Sequence, residues 1–471
     1  MSALWHVADI VRAVGGRCSL SASEQEGVLV SSVSIDSRTI ETGGLYVAIQ
    51  GVRQDGHKFV EAAFDNGAAA ALVADDFVSS RSDHVLVRVT DTLDGLNELG
   101  RAARARGNAG VIAVTGSAGK TGTKEALLKM LAPSGLTHAS VKSFNNHWGV
   151  PLSLARMSEE TQFGVFEVGM NHAGEITPLS DMIAPDVALI TTVAPVHIEH
   201  FASEEEIADA KAEIFSGLRP DGVAVLPADN RHFERLCLRA GEAGVARVVS
   251  FGRAIDADVR LLDGEFGAEG SRVRADILGE EIAFELSMPG EHIVMNLLGA
   301  LAAVKLVGGD VGKAGAVISD LKAPSGRGMR YELQMVDGSA LLIDESYNAN
   351  PASMKVALEG LAQLQGERHS RRIAVLGDML ELGERSQQYH DELAVLIADL
   401  DIDVVFAAGE MMKSMFDRLP PAVQGAYELR SEHLYNTIEK NLRSGDVIMI
   451  KGSFGSEMGG IVERLRARFV A

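Results

Sequence analysis

Short apolar runs rich in β-branched residues recur along the chain, separated by polar turns and by stretches of helical length. Runs at residues 45–49 and 70–73 predict a small mixed α/β unit over residues 1–107. The arginine-rich stretch 101–106, followed by Gly107-Asn108, predicts a helix end and a crossing into a second unit. That unit opens on Val111-Ile112-Ala113-Val114-Thr115, which reads as a buried strand, and continues with runs at 164–168, 187–192 and 222–227 that alternate with helical segments. This alternation predicts a mostly parallel sheet covered by helices over residues 108–322. Lys322-Ala323-Pro324-Ser325-Gly326 reads as a hinge. Beyond it, over residues 323–471, runs at 340–344, 372–377, 404–408 and 447–451 are each trailed by a helix-length segment, the pattern of an open Rossmann-like sheet.

Three α/β domains agree with a length of 471 residues, more than one hydrophobic core usually organises. Apolar residues at 46% and charged ones at 23% are ordinary for folded soluble chains, so a large core is available. The formal net charge of −21 argues against binding nucleic acid or an anionic membrane through a global basic field. A small polyanion would need local amides, a metal or a few converging lysines and arginines. Cys18 and Cys237 lie far apart and form no metal-binding spacing, which fits a reducing compartment. Residues 1–14 lack the basic region and apolar block of a secretory signal, and no run approaches the roughly 18–20 apolar residues of a membrane span. The expectation is a cytoplasmic protein without a membrane span, and with nothing resembling an obligate interface, a monomer.

The strand at 111–115 runs into Gly116-Ser117-Ala118-Gly119-Lys120-Thr121-Gly122-Thr123-Lys124-Glu125 and then a helical stretch at 126–131. Glycines let the backbone fold round an anion, the helix start aims free N–H groups at it, and Lys120 adds a full charge. The Thr121 hydroxyl is placed to bind the Mg²⁺ that accompanies nucleotide phosphates. Position 114 is valine rather than glycine, so the match is to a short GxxGKT form. A plain glycine-rich turn is the bland alternative, opposed by the strand before, the helix after and the Lys-Thr pair. The loop by itself does not separate a kinase, an ATPase and a ligase.

Three more elements sit at predicted strand ends or close by: Glu167, His197 in Pro195-Val196-His197-Ile198-Glu199, and a helix over residues 204–218 carrying Lys211 and Glu213. A carboxylate and a neutral imidazole can complete the shell of a divalent cation. Singly, each is an ordinary surface residue; they gain weight only beside the phosphate loop.

Taken together, these stretches resemble the Mur ligases of peptidoglycan precursor synthesis along nearly the whole chain. The resemblance implies a small N-terminal substrate domain, a central P-loop-type ATP domain and a C-terminal ligase domain. It implies that Gly116, Ser117, Ala118, Gly119, Lys120, Thr121 and Gly122 cradle ATP, and that Thr121, Glu167, His197 and a carbamylated Lys211 serve magnesium. Lys120, Lys211, His197 and Glu167 would be the catalytic set. Asn296 in Gly290-Glu291-His292-Ile293-Val294-Met295-Asn296 resembles an asparagine near the adenine, and Arg327 an arginine on the nucleotide side. The string Asp344-Glu345-Ser346-Tyr347-Asn348-Ala349-Asn350-Pro351 is similar to the motif that closes over ATP, with Asp344, Tyr347 and Asn348 as contacts.

Other stretches resemble those of family members whose acceptor is D-alanyl-D-alanine. These are Val375-Leu376-Gly377-Asp378-Met379-Leu380-Glu381-Leu382-Gly383 and the loop Phe144-Asn145-Asn146-His147-Trp148-Gly149, from which Asn145 and Asn146 would meet substrate. Ser37 and Arg38, in Ile35-Asp36-Ser37-Arg38, resemble the segment that holds the UDP-sugar end. The implied reaction joins D-alanyl-D-alanine to UDP-N-acetylmuramoyl-tripeptide through an acyl phosphate, with ATP and Mg²⁺. Another Mur-type or folylpolyglutamate-type ligase and a P-loop NTPase or kinase are the alternatives. Gly122 replaces the usual Ser or Thr, and Thr192-Val193-Ala194-Pro195-Val196 replaces a more usual Asn-x-Gly-x-Ala lead into the histidine.

Overall fold

A computed structural model describes residues 3–51, 54–141, 143–195, 201–267, 270–364 and 371–470. Its centre is a nine-stranded sheet in the order Glu280–Leu286, Gly270–Ile277, Val259–Gly267, Arg247–Gly252, Val223–Pro227, Val187–Ile190, Gly110–Thr115, Phe163–Glu167, Thr137–Ala139. The seven strands from Val259–Gly267 onward pair in parallel. Strand Gly110–Thr115 shows why it sits in the middle. Ile112 and Val114 face one core with helices Lys120–Leu131 and Glu291–Leu306, while Val111 and Ala113 face another with Gly149–Ala155, Ile176–Ile183 and Glu204–Ala212. A strand apolar on both faces is stable only when helices cover both.

The sheet is more mixed at its edge than the strand–helix alternation predicts. Gly270–Ile277 runs antiparallel to both neighbours. Leu278 and Gly279 both take positive φ (53° and 85°), the conformation of a tight hairpin turn between Ile277 and Glu280. The helix expected over 204–218 divides into Glu204–Ala212 and a single 3-10 turn, Glu213–Phe215. The reason is Glu213: its carboxylate accepts the N–H groups of Gly174 at 2.6 Å, Ile176 at 3.1 Å and Thr177 at 3.2 Å, capping the start of helix Ile176–Ile183.

The C-terminal sheet has the order Met329–Met335, Gly338–Glu345, Asp446–Lys451, Arg371–Gly377, Val404–Ala408, Gln424–Glu428. Only its first strand is antiparallel. The last strand in sequence therefore lies between two earlier ones. In the N-terminal region a five-stranded sheet runs Arg17–Cys18, Leu86–Val89, Ala70–Ala74, Leu45–Val47, Val33–Ser34. Helix Thr92–Arg106, capped by the Asp91 carboxylate on the N–H groups of Leu93 and Asp94, packs between this sheet and the central one. Among the described residues no helix is long and apolar enough to cross a membrane.

Candidate functional site

Strand Gly110–Thr115 delivers the chain into the phosphate loop, and helix Lys120–Leu131 starts at its far end, so the loop's last amides point along a helix axis. Two glycines there have no substitute. Gly119 has φ 82°, and a Cβ on it would come within 2.3 Å of the Asn296 amide; a Cβ on Gly116 would meet the Thr191 hydroxyl at 1.9 Å. Asn296 thus packs directly on the loop. Around Gly122 there is open space, so the absent hydroxyl costs no packing. Ser117 turns sideways: its hydroxyl donates to the Ala194 carbonyl and accepts the Ala194 N–H, both at 2.9 Å, and its own N–H donates to Thr192 O at 2.8 Å. The Ala118 carbonyl accepts the Thr191 hydroxyl at 2.6 Å. The unusual Thr192–Pro195 lead is therefore clasped to the loop largely through backbone groups.

Lys120 curls back to donate to the Gly116 carbonyl at 2.6 Å. Desolvation pushes its ammonium below the usual lysine range, with Glu167 opposing that shift and Arg327 adding to it. Glu167 ends the strand next to the loop strand and is 1% exposed. Thr121 donates to one of its oxygens at 2.8 Å and Asn145 to the other at 2.7 Å. A buried carboxylate and a hydroxyl converging beside a phosphate loop suit magnesium, which takes hard oxygens, keeps several waters and binds through one or two carboxylates plus phosphates. Asn146 instead caps the following helix, accepting the N–H groups of Gly149 at 2.9 Å and Trp148 at 3.2 Å.

Lys211 is 2% exposed on helix Glu204–Ala212, and among the described residues its ammonium has no hydrogen-bond or ion-pair partner. Burial, followed by the Lys120 charge, holds it well below the usual lysine range. His197 lies outside the described residues.

A cleft of about 420 Å³ separates the loop from the C-terminal sheet. Lys120, Asn145, Glu167 and Asn296 line one wall; Arg327, Tyr347 and Asn348 line the other. The Arg327 guanidinium stacks 4.4 Å over the Tyr347 ring. Asp344 is 2% exposed and does not line this cleft. Its carboxylate accepts the Gly326 N–H at 2.7 Å and the Ser346 hydroxyl at 2.6 Å, so it fixes the hinge segment that carries Arg327. Ser37 and Arg38 lie away from the cleft in the N-terminal unit; the exposed Arg38 side chain forks onto Asp36 at 2.9 and 2.7 Å.

Sequence reasoning missed three cleft residues, His292, Glu345 and Lys451. Lys451 is 2% exposed and donates to the Asn348 carbonyl at 2.8 Å. Burial lowers its pKa and that of His292, with Glu345 opposing both shifts. Lys451 ends a predicted strand and Glu345 directly follows one, the position from which an open parallel sheet presents ligand-binding groups, and that was the available signal.

Three family models cover most of the chain: a Mur ligase catalytic domain over residues 29–106, a Mur ligase middle domain over 114–304 and a Mur ligase glutamate ligase domain over 329–454. The chain is 31% identical over 445 residues to the UDP-N-acetylmuramoyl-tripeptide--D-alanyl-D-alanine ligase of Rickettsia prowazekii, covering 94% of this chain and 97% of that one. It is 33% identical over 450 residues to the Bacillus subtilis enzyme of the same name, with 95% of each covered. Among solved structures, MurF from Acinetobacter baumannii superposes with a TM-score of 0.83 at 28% identity, covering 98% of this chain and 99% of that one. MurF ligase from Thermotoga maritima in complex with ADP gives a TM-score of 0.73 at 25% identity, covering 93% and 98%. With its cleft, its phosphate loop and its full-length likeness to these proteins, the chain belongs to the Mur ligase family.

Proposed function

We propose that this chain is an ATP-dependent amide ligase that joins D-alanyl-D-alanine to UDP-N-acetylmuramoyl-tripeptide, giving the UDP-linked pentapeptide of peptidoglycan synthesis. The observation that carries this reading is the two-walled cleft, with Lys120 and the Thr121-bonded Glu167 on one wall and Arg327, Tyr347 and Asn348 on the other. A carboxylate is a poor electrophile, so forming an amide from it requires prior activation. In the proposed reaction Lys120 leaves the Gly116 carbonyl for the γ-phosphoryl group and neutralises charge there as the tripeptide's terminal carboxylate attacks in line, releasing ADP. The dipeptide amine then attacks the acyl phosphate, and phosphate departs.

Thr121 and Glu167, with His197, would hold magnesium, which supplies charge neutralisation and orientation to the phosphates. Lys211 deepens the site. A buried amine without a partner among the described residues is disposed toward its neutral form and can add CO₂ with loss of a proton, gaining an anionic oxygen for the cation. On this reading Lys211→Ala loses activity, and wild-type activity falls when bicarbonate is stripped; an unimpaired variant removes the carbamate.

Residues 1–107 form the UDP-substrate unit, with Ser37 and Arg38 at the UDP-sugar end, residues 108–322 the ATP unit and residues 323–471 the ligase unit. Asn145 and Asn146 serve the tripeptide side, and Asp344 acts on ATP through Arg327. The enzyme works as a cytoplasmic monomer, which the free Cys18 and Cys237 suit. The deciding assay is ADP release against a panel of UDP-muramoyl peptides and amine acceptors. Turnover that needs both the tripeptide and D-alanyl-D-alanine supports the reading, and equal turnover without either overturns it.

A further inference from the structure

Amide formation from an acyl phosphate releases a proton, and an α-amine with a pKa near 8 arrives at neutral pH mostly as ammonium. A group in the cleft must take that proton. Three carboxylates line the cleft among the described residues: Glu125, Glu167 and Glu345. Glu125 is paired with Lys124. Glu167 is buried, with one oxygen on the Thr121 hydroxyl and the other on the Asn145 amide, beside the phosphate loop. Neither is disposed to meet an incoming amine.

Glu345 is differently placed. It ends strand Gly338–Glu345 in direct register with Lys451 at the end of the parallel strand Asp446–Lys451. Its carboxylate lies 3.4 Å from the Lys451 ammonium, and its side chain is 28% exposed. Lys451 in turn holds the Asn348 carbonyl, so carboxylate, lysine and the Tyr347–Asn348 segment form one braced unit. The two strand ends lie where the sheet's chain order reverses, since Asp446–Lys451 is inserted between Gly338–Glu345 and Arg371–Gly377. The helices that follow go to opposite faces: Met354 of Pro351–Ala362 packs in one core, Ile461 of Gly459–Phe469 in the other. Divergence of this kind opens a crevice above the carboxyl ends of parallel strands, the habitual place for a small ligand. Among the described residues, the charged and titratable groups that share the cleft with Glu345 include Lys451 from the neighbouring strand, Arg327 and Tyr347 on its own side, and His292 from helix Glu291–Leu306 and Lys120 across it.

Resting on the ligase reading above, we propose that Glu345, braced by Lys451, receives the acceptor's ammonium group and takes its proton as the amine attacks. The nitrogen lone pair forms the bond to the acyl carbon. Glu345 takes one proton from the ammonium to free that lone pair, the bond from the acyl carbon to the phosphoryl oxygen breaks, and phosphate leaves with the electron pair and the second proton shed by nitrogen, as hydrogen phosphate. Glu345 therefore serves the second half of the reaction and not the first.

The full-length Glu345→Gln variant tests this with two readouts. One is acyl phosphate formation from ATP and UDP-muramoyl tripeptide without acceptor, followed by borohydride trapping; the other is D-alanyl-D-alanine ligation between about pH 6 and pH 10. The expected result is trapping within about twofold of wild type and ligation slower by about 100-fold or more at neutral pH. That deficit shrinks as the pH passes the dipeptide's own amine pKa of about 8, and Glu345→Asp recovers part of the rate. Equal losses in both halves, a pH-independent deficit or near-normal ligation would each overturn the assignment. If the wild-type enzyme traps the anhydride yet ligates no D-alanyl-D-alanine, the acceptor reading fails instead, a separate outcome of the same assay.

Discussion

Where the N-terminal unit meets the central sheet, buried side chains cross the boundary and bind backbone carbonyls on the other side; where the central sheet meets the C-terminal unit, polar side chains line the two walls of a cleft. On the first side the Trp5 indole donates to Ala155 O at 2.8 Å, and Arg156 donates to Val33 O at 2.6 Å. Arg106 stacks 3.6 Å over Trp5 while binding the Leu4 and Met157 carbonyls. Arg104 donates to Ile183 O and Ala184 O, both at 2.9 Å, placing a cation on the C-terminus of helix Ile176–Ile183. On the second side Lys120, Glu167 and Asn296 line one wall of the cleft and Arg327, Tyr347 and Asn348 the other. Burial depresses the basicity of Lys120 and Lys451 there, and the Arg327 charge adds to both shifts. A junction tied by several buried hydrogen bonds holds its angle. One whose groups await an anion is set to close when a nucleotide supplies it.

Substitutions on the two sides should therefore separate activity from stability. The largest effect is expected for Lys120→Ala: kcat/KM in the coupled ADP-release assay falls by about 10³-fold, while the melting temperature holds or rises because a desolvated cation is gone. A variant retaining a tenth of wild-type activity would contradict that. Next comes Arg104→Ala, which strands several buried carbonyls and should cost about 3 kcal/mol in urea unfolding. ATP affinity of the remaining folded protein stays unchanged. Tyr347→Ala sits on the open side: ATP binding weakens about tenfold, or about 1.4 kcal/mol by titration calorimetry, with unfolding shifted by less than about 1 kcal/mol.

The smallest effect concerns His390, which is completely buried, donates to Ser386 O at 2.7 Å and accepts the Met379 N–H at 3.0 Å. Burial lowers its pKa, partly offset by the Ser386 bond. A histidine depressed in the folded state binds fewer protons there than in the unfolded chain. Its stabilising contribution is present above the unfolded pKa of about 6.5 and drains away as the pH falls from there toward the folded value. His390→Gln should cost about 1 kcal/mol at neutral pH and flatten the acid limb of the stability curve, with ATP binding untouched.

Much of the architecture was legible in the sequence because the inner strands are apolar on both faces, and runs such as Val111–Thr115 or Val404–Val405-Phe406-Ala407-Ala408 leave no other reading. The edge strands were not. Residues 259–267 and 270–277 largely alternate more and less buried positions, with Asp263, Glu265, Arg272 and Arg274 on the outer face, a hairpin signature weaker than a continuous run. At the site, the phosphate loop was legible because its chemistry is local. The burial of Lys211, the sideways turn of Ser117 and the Glu345–Lys451 pair depend on residues far apart in sequence that only the folded sheets bring together. Asp344 illustrates the limit: its motif was recognisable, but its inward orientation was set by Gly326 and Ser346, which no spacing reveals.

The most direct test of the account is the stoichiometry of one reaction. With ATP, UDP-N-acetylmuramoyl-tripeptide and D-alanyl-D-alanine present, the account predicts equal amounts of ADP, phosphate and UDP-linked pentapeptide, and no ADP beyond a single turnover when the dipeptide is left out. Nucleotide consumed at the same steady rate without the dipeptide would contradict it.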